Sequence, residues 1–361
     1  MEYLISFAKA GFLFSVVMGL VYVLTWMERK QSAVMQDRIG ANRADVFGFT
    51  ALGLFQNLAD AIKMITKEEF VPPQGNRFLH TMAPVIALFF ALISFAAIPF
   101  GGAYQLGGHT ISLQVWDLNI GLLYVFSAMS MGIYGFVLAG WASANNYAML
   151  GGLRACSQMI SYEITMGATL VGLLMCYQTL SLQSMVEQQG ALLWGVIPVW
   201  GVLLQPLGFL LFATAAMAET KRVPFDVPEG ESEIVGYFVE YSGMKFGMFL
   251  TTDFVETVLA ASLMTTLFFG GWQVPFLGDS GFLFPGGWAW ELPAAWVMLA
   301  QVSSFLGKVF FFCFMMLLIR WTLPRFRWDQ LMRLGWTVML PLSVLNILIT
   351  ALILQLWKAT G

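Results

Sequence analysis

MAETKRVPFDVPEGESEIVGYFVEYSGMKFGMFLTTDFVE, residues 217–256, carries Glu219, Asp226, Glu229, Glu231, Glu233, Glu240, Asp253 and Glu256. These are eight of the chain's 21 acidic residues, in a sequence that is 58% hydrophobic and 11% charged. The stretch begins and ends inside apolar sequence, and its last two acids run into the second apolar segment. A solvated acidic loop is the plain alternative, but such a loop does not normally start and finish in spans. Carboxylates at membrane depth are costly and mark function. Crowded acids repel one another and hold protons loosely, which a proton relay requires.

Outward from this stretch, the composition decides the class. Mean hydropathy is +0.74, and the chain holds 32 Phe, 13 Trp and 22 Met in 361 residues. A soluble domain cannot bury that much apolar surface, so an all-α polytopic membrane protein is expected. Apolar stretches at about 5–27, 82–100, 119–141, 159–177, 192–216, 246–271, 294–319 and 335–357 predict eight transmembrane helices in a single membrane domain, 1–361. Loops 28–81, 142–158, 217–245 and 320–334 hold 15 of the 18 Lys and Arg residues, which assigns them to the cytoplasm and puts both termini outside. The intervening loops 101–118, 178–191 and 272–293 contain no Lys or Arg and read as compact caps at the interface. No cleavable signal peptide is expected, because no basic segment or small-residue cleavage site precedes the first span.

Several functions are disfavoured. A net charge of −3 argues against nucleic acid as a partner. His80 and His109 are too few and too peripheral for haem. Cys156, Cys176 and Cys313 lack metal-ligand spacing, so no metal is expected and the thiols read as small buried groups.

In loop 28–81, Leu54, Leu58, Ile62 and Ile65 share one helical face, predicting an amphipathic helix at the membrane surface or against the bundle. Span 4 places Glu163 in apolar surroundings, as a hydrogen-bond anchor or a proton carrier, with Gly167 expected to admit a neighbouring helix. Asp253 and Glu256 share a face of span 6. Lys308, in span 7, is expected to pair with a buried acid or to titrate. The two prolines of KRVPFDVPEGE predict extended backbone. Phe225, between charged residues, is a packing residue or the wall of a site for a polar-headed, long-tailed ligand such as a quinone.

The segments MERK (27–30), MQDRIGANR (35–43), LADAIKMITKEE (58–69), GGLRACSQMISYE (151–163), AETKRVPFDVPEGESEIV (218–235), VEYSGMKF (239–246) and RWTLPRFRWDQLMRLGW (320–336) resemble one family. It is the quinone-site membrane subunit of respiratory complex I, the proton-translocating NADH:quinone oxidoreductase of electron transport, known as the H subunit in bacteria and as subunit 1 in mitochondria. The resemblance implies a multi-pass protein of the bacterial cell inner membrane that is not catalytic alone and binds no cofactor. FMN and iron–sulfur clusters would reside in partner subunits, and quinone (ubiquinone in many relatives) would be the substrate. It implies partners among the peripheral-arm quinone-site and iron–sulfur subunits, the small membrane subunits and the antiporter-like subunits, within the lipid bilayer.

Carried over by position, Glu28, Arg29, Arg38, Asp60, Arg222, Phe225 and Asp226 would line the quinone cavity. Tyr162, Glu163, Glu219, Glu229, Glu231 and Glu233 would form the acidic proton path, to which Asp253, Glu256 and Lys308 are added from span positions. Arg320 and Arg325 would close the cytoplasmic side. The chain departs from the family at Ala41 and Asn57, where Pro is usual, at Asp253 and Glu256, where Glu and Asn are common, and at Phe254, where Tyr is common. A ferredoxin- or hydrogen-linked relative of the complex, a stand-alone proton-coupled transporter, and a passive scaffold are the competing readings.

Overall fold

The computed structural model describes residues 2–106, 109–193, 197–230, 236–278, 281–283 and 289–360. Long apolar runs become helices because every backbone polar group must then be satisfied within its own segment. They are α1 (Glu2–Met35), α3 (Arg77–Ile93), α4 (Gly121–Ala142), α5 (Asn146–Tyr177), α9 (Gly243–Phe268) and α10 (Ala294–Thr322). The last run joins α11 (Trp328–Arg333), a π turn at Leu334–Met339, and α12 (Leu340–Thr360). Among the described residues these seven helices are long and apolar enough to cross a membrane. The chain is thus an all-α polytopic membrane protein.

The fifth predicted span, 192–216, is formed differently. Its first residues make a short antiparallel pair, β3 (Leu192–Leu193) with β4 (Ile197–Pro198). A single turn, α7 (Gly201–Leu204), follows, and then α8 (Pro206–Glu219) of 14 residues. Pro206 biases the preceding residue away from helical backbone, and Gln205 sits at φ −137°, ψ 63°. The break is sealed by side chains: Gln205 donates to Thr350 Oγ1 at 2.6 Å and accepts from Asn346 Nδ2 at 2.6 Å. Helix α8 alone is about 21 Å long, short of the hydrocarbon thickness, and α7 completes the run.

The predicted loops 142–158 and 320–334 contain helix. α5 starts at Asn146, capped by the Asn145 side chain accepting from Tyr147 N at 2.9 Å. The surface helix is α2 (Phe55–Thr66), tied to α1 where Asn57 donates to Tyr22 O at 2.8 Å. Its Leu58, Ile62 and Ile65 point outward, as a helix lying at a lipid surface requires. The loops of the opposite end fold as β1 (Ala103–Leu106) with β2 (His109–Ser112), the short helix α6 (Leu182–Gln189), and β5 (Leu277–Gly278), β6 (Gly281–Leu283) and β7 (Ala289–Glu291).

The bundle is built around α9, 67% buried, whereas α1 and the final run are 17% and 22% buried and face outward. Gly167 does not admit a neighbour, since nothing lies within 4 Å of where its Cβ would stand. The close approaches on α5 are at Gly172, where a Cβ would lie 2.6 Å from Gln205 Oε1, at Gly152, 3.0 Å from Phe136 O, and at Gly151, 2.9 Å from Tyr237 N. The Gly151 contact seats the acidic segment against the start of α5.

All four basic loops meet at one end. Asn145 donates to Glu240 at 2.9 Å, Lys245 pairs with Glu69 at 3.3 Å, and Phe326 N donates to Pro224 O at 3.0 Å. The segment 217–245 is the hub that the other three touch.

Candidate functional site

At the hub, Glu28 near the end of α1 accepts from Arg222 Nη1 at 2.9 Å and from Arg320 Nη1. Three elements distant in sequence thus share one carboxylate. The Arg222 guanidinium also lies 4.0 Å over the Phe254 ring. Beside it, Arg325 pairs with Asp226 at 2.7 Å, and burial pushes the Asp226 carboxyl up to about 6 in spite of that arginine. Phe225 is buried, stacked on Phe326 with centroids 5.4 Å apart and 6.0 Å from Tyr162. On the outer side of α1, Arg29 holds Asp60 of α2 at 2.5 Å. Arg29 and Asp60 line a cleft with Lys63, Met64, Phe238, Tyr241 and Phe246. It is a basic and apolar recess between the surface helix and α9.

A turn closes around the first proline, with Phe225 N donating to Arg222 O at 2.8 Å, while the residues between the prolines, 225–227, form neither helix nor strand. The turn separates two neighbouring cations. Arg222 goes to Glu28, while Lys221 goes inward, 1% exposed, to Asp253 and Glu256 at 3.1 Å each. Its ammonium also lies 3.3 Å from the centroid of the Phe136 ring. Burial alone would lower the Lys221 ammonium, but Glu256 and Asp253 carry it above the ordinary lysine range.

Glu219, 3% exposed at the end of α8, has no hydrogen-bond partner among the described residues on either carboxylate oxygen. It lines a cavity with Glu256, Thr220, Gly132 and Met166, with about 20 Å³ of free space. That is room for one water bridging two carboxylates. Glu163, Glu256 and Lys221 are the charged groups that act on Glu219. Glu163 is held by Ser130 of α4. Toward the hub, Glu229 accepts from the Tyr237 hydroxyl at 3.2 Å, and burial with Asp253 and Asp226 nearby raises its carboxyl well above the ordinary range.

The structure therefore brings Glu28, Arg222, Arg320, Phe225, Asp226 and Arg325 into one cluster, and Glu163, Glu219, Glu256, Asp253 and Glu229 into a buried series beneath it. Tyr162 lies between them, its hydroxyl donating to Leu331 O at 2.9 Å. Arg29 and Asp60 lie in the separate cleft beside the surface helix, and two further predicted residues stand apart from both groups. Arg38 is exposed and bonds to Gln36 at 2.7 Å. Lys308 pairs with no acid among the described residues, and donates to the carbonyls of Phe269, Gly271 and Gln273 at 2.9, 3.0 and 2.7 Å. The end of α9 offers unpaired carbonyls and the negative pole of its dipole, which draw the ammonium there. Glu231 and Glu233 lie outside the described residues. Among the described residues no group of three or more His, Cys, Asp or Glu is arranged to hold a metal ion.

Sequence reading missed Lys221, counted only among loop cations, although its place two residues after Glu219 was a usable signal. It also missed Gln158, fully buried on α5, whose amide donates to Ala218 O and to Phe225 O, each at 2.7 Å. One side chain thus pins both ends of the turn that separates Lys221 from Arg222. Gln158→Met strips both donors and leaves two carbonyls short, so a stability loss of about 2 kcal/mol is expected. A fall in the thermal unfolding midpoint of the detergent-solubilised protein checks this, and an unchanged midpoint refutes it.

The NADH dehydrogenase family matches residues 8–351. The H 1 subunit of NADH-quinone oxidoreductase from Cytophaga hutchinsonii is 41% identical over 338 residues, 93% of each chain. The H subunit from Thermomicrobium roseum is 42% identical over 358 residues, covering 98% of this chain and 97% of the relative. The H 2 subunit from Rhizobium meliloti is 40% identical over 346 residues, 96% of each. With identity of this order from end to end, the chain belongs to the NADH dehydrogenase family as an H subunit of NADH-quinone oxidoreductase.

Proposed function

We propose that this chain forms part of the quinone-binding cavity of the complex and the acidic path that couples quinone reduction to proton translocation. Electrons come from NADH through FMN and iron–sulfur clusters in peripheral-arm partners, and antiporter-like and small membrane subunits take up the coupling. The setting is the bacterial inner membrane, with both termini on the periplasmic side. The observation that carries the reading is Glu219, buried with both oxygens unpartnered among the described residues and sharing a water-sized cavity with Glu256. A carboxylate without a partner is a poor structural anchor, because burying an unpaired polar group costs stability. It is a sound place to lodge a proton that arrives and leaves.

The hub supplies the other half. A quinone reduced near Arg222, Asp226 and Phe225 gains negative charge and draws protons. The adjoining acids feel that charge in a low dielectric and titrate as a group. Glu219→Gln keeps the shape and removes the titrating proton. Coupled NADH–quinone turnover of the assembled complex in sealed membranes is expected to fall at least about tenfold, a floor below the roughly 10²–10⁴-fold that a positioned proton-transfer group contributes. Turnover and proton uptake equal to the unaltered complex would refute the path.

A further inference from the structure

Lys221 is the one cation among the described residues that an ion pair joins to the buried membrane-side acids. It reaches them at a cost, since its backbone is left-handed at φ +54°, a region that residues with a Cβ disfavour. The groups facing its ammonium come from every packed element: the Phe136 ring from α4, Asp253 and Glu256 from α9, and Glu229 from the hub segment. Glu219 of α8 is also within its field. Asp253 and Glu256, three residues apart on one helical face, would repel each other if both were ionised and unscreened. Lys221 bridges them at equal distances of 3.1 Å. Glu219 and Glu229 make no ion pair among the described residues; one has no polar partner and the other only the Tyr237 hydroxyl.

We propose that Lys221 is the positioning residue of the acidic path: its ammonium pins negative charge on the Asp253–Glu256 pair and so leaves Glu219 and Glu229 as the acids that take up and release protons. The inference rests on the proton-path reading and deepens it. In the complex lacking this cation, the pair competes with Glu219 for the same protons and the path is shunted. Removing one acid of the pair restores the balance of charge.

The test compares Lys221→Met, Glu256→Gln and the double variant in the assembled complex in sealed membranes. NADH–quinone turnover and protons moved per electron are measured per complex, counted by bound FMN. Lys221→Met is expected to lower turnover per complex roughly tenfold, with the double variant returning to within about threefold of the unaltered complex, as coupled neighbours do. A double variant no better than Lys221→Met overturns the proposal, as does a Lys221→Met complex with full turnover and pumping. Recovery confined to the amount of complex, with turnover per complex unchanged throughout, makes the pair structural only and also overturns it. The path reading itself fails on a separate result, an unaffected Glu219→Gln complex.

Discussion

Glu28→Gln is expected to reduce NADH–quinone turnover by about a hundredfold while the complex still assembles. The carboxylate is the shared acceptor of Arg222 and Arg320, whose side chains are 12% and 29% exposed. Taking one partner from a buried pair leaves an uncompensated charge, at a cost of about 3–5 kcal/mol when burial is complete. Partial exposure of the two arginines reduces this to about 2–3 kcal/mol. The loss falls on the cluster that ties α1, the hub and α10 together, where the quinone head is proposed to bind. Charge-assisted bonds are geometrically demanding, so Gln, which offers one neutral acceptor, cannot hold both guanidinium groups in place. Steady-state kinetics should show a raised quinone KM as well as a lowered rate. A variant with KM and rate unchanged removes Glu28 from the site.

The second large effect is at the opposite end of the bundle. Lys308→Met removes the donor from three carbonyls at once, those of Phe269, Gly271 and Gln273. Hydrogen bonds from a charged donor are worth about 1.5–3 kcal/mol each, and water recovers part of that where it can enter. A net destabilisation of about 3 kcal/mol is expected. The readout is less assembled complex and a lower unfolding midpoint, with turnover per assembled complex retained. This outcome separates the two roles open to a membrane-depth lysine. If turnover per complex were lost while stability held, Lys308 would belong to the proton path after all, as its position in an apolar helix suggests.

These two residues illustrate what a sequence can carry. Glu28 was readable because MERK is a local motif with a family resemblance. Lys308 was readable as unusual, a lone cation in SFLGKVFFF, but its partners were not. They lie 35 to 39 residues away, just past the end of α9. The same holds for the fifth span. Hydropathy is high from 192 to 216, and an average over that window cannot register that Pro206 breaks the helix. Gln205, Asn346 and Thr350 then close the break through contacts 141 and 145 residues apart in sequence.

By itself the sequence determined the class, the rough positions of the long apolar helices though not where α5 begins or how the fifth span is built, the surface helix, and which acids are unusual. Those follow from composition, periodicity and short motifs, all of them local properties. Only the tertiary structure decided which charges meet. It separated the neighbours Lys221 and Arg222, sending one to Asp253 and Glu256 and the other to Glu28. It also left Glu219 without a hydrogen-bond partner among the described residues, beside a water-sized cavity. The physical reason is that a buried charge is governed by the nearest opposite charge in a low dielectric, and nearness of that kind is set by helix packing rather than by order along the chain.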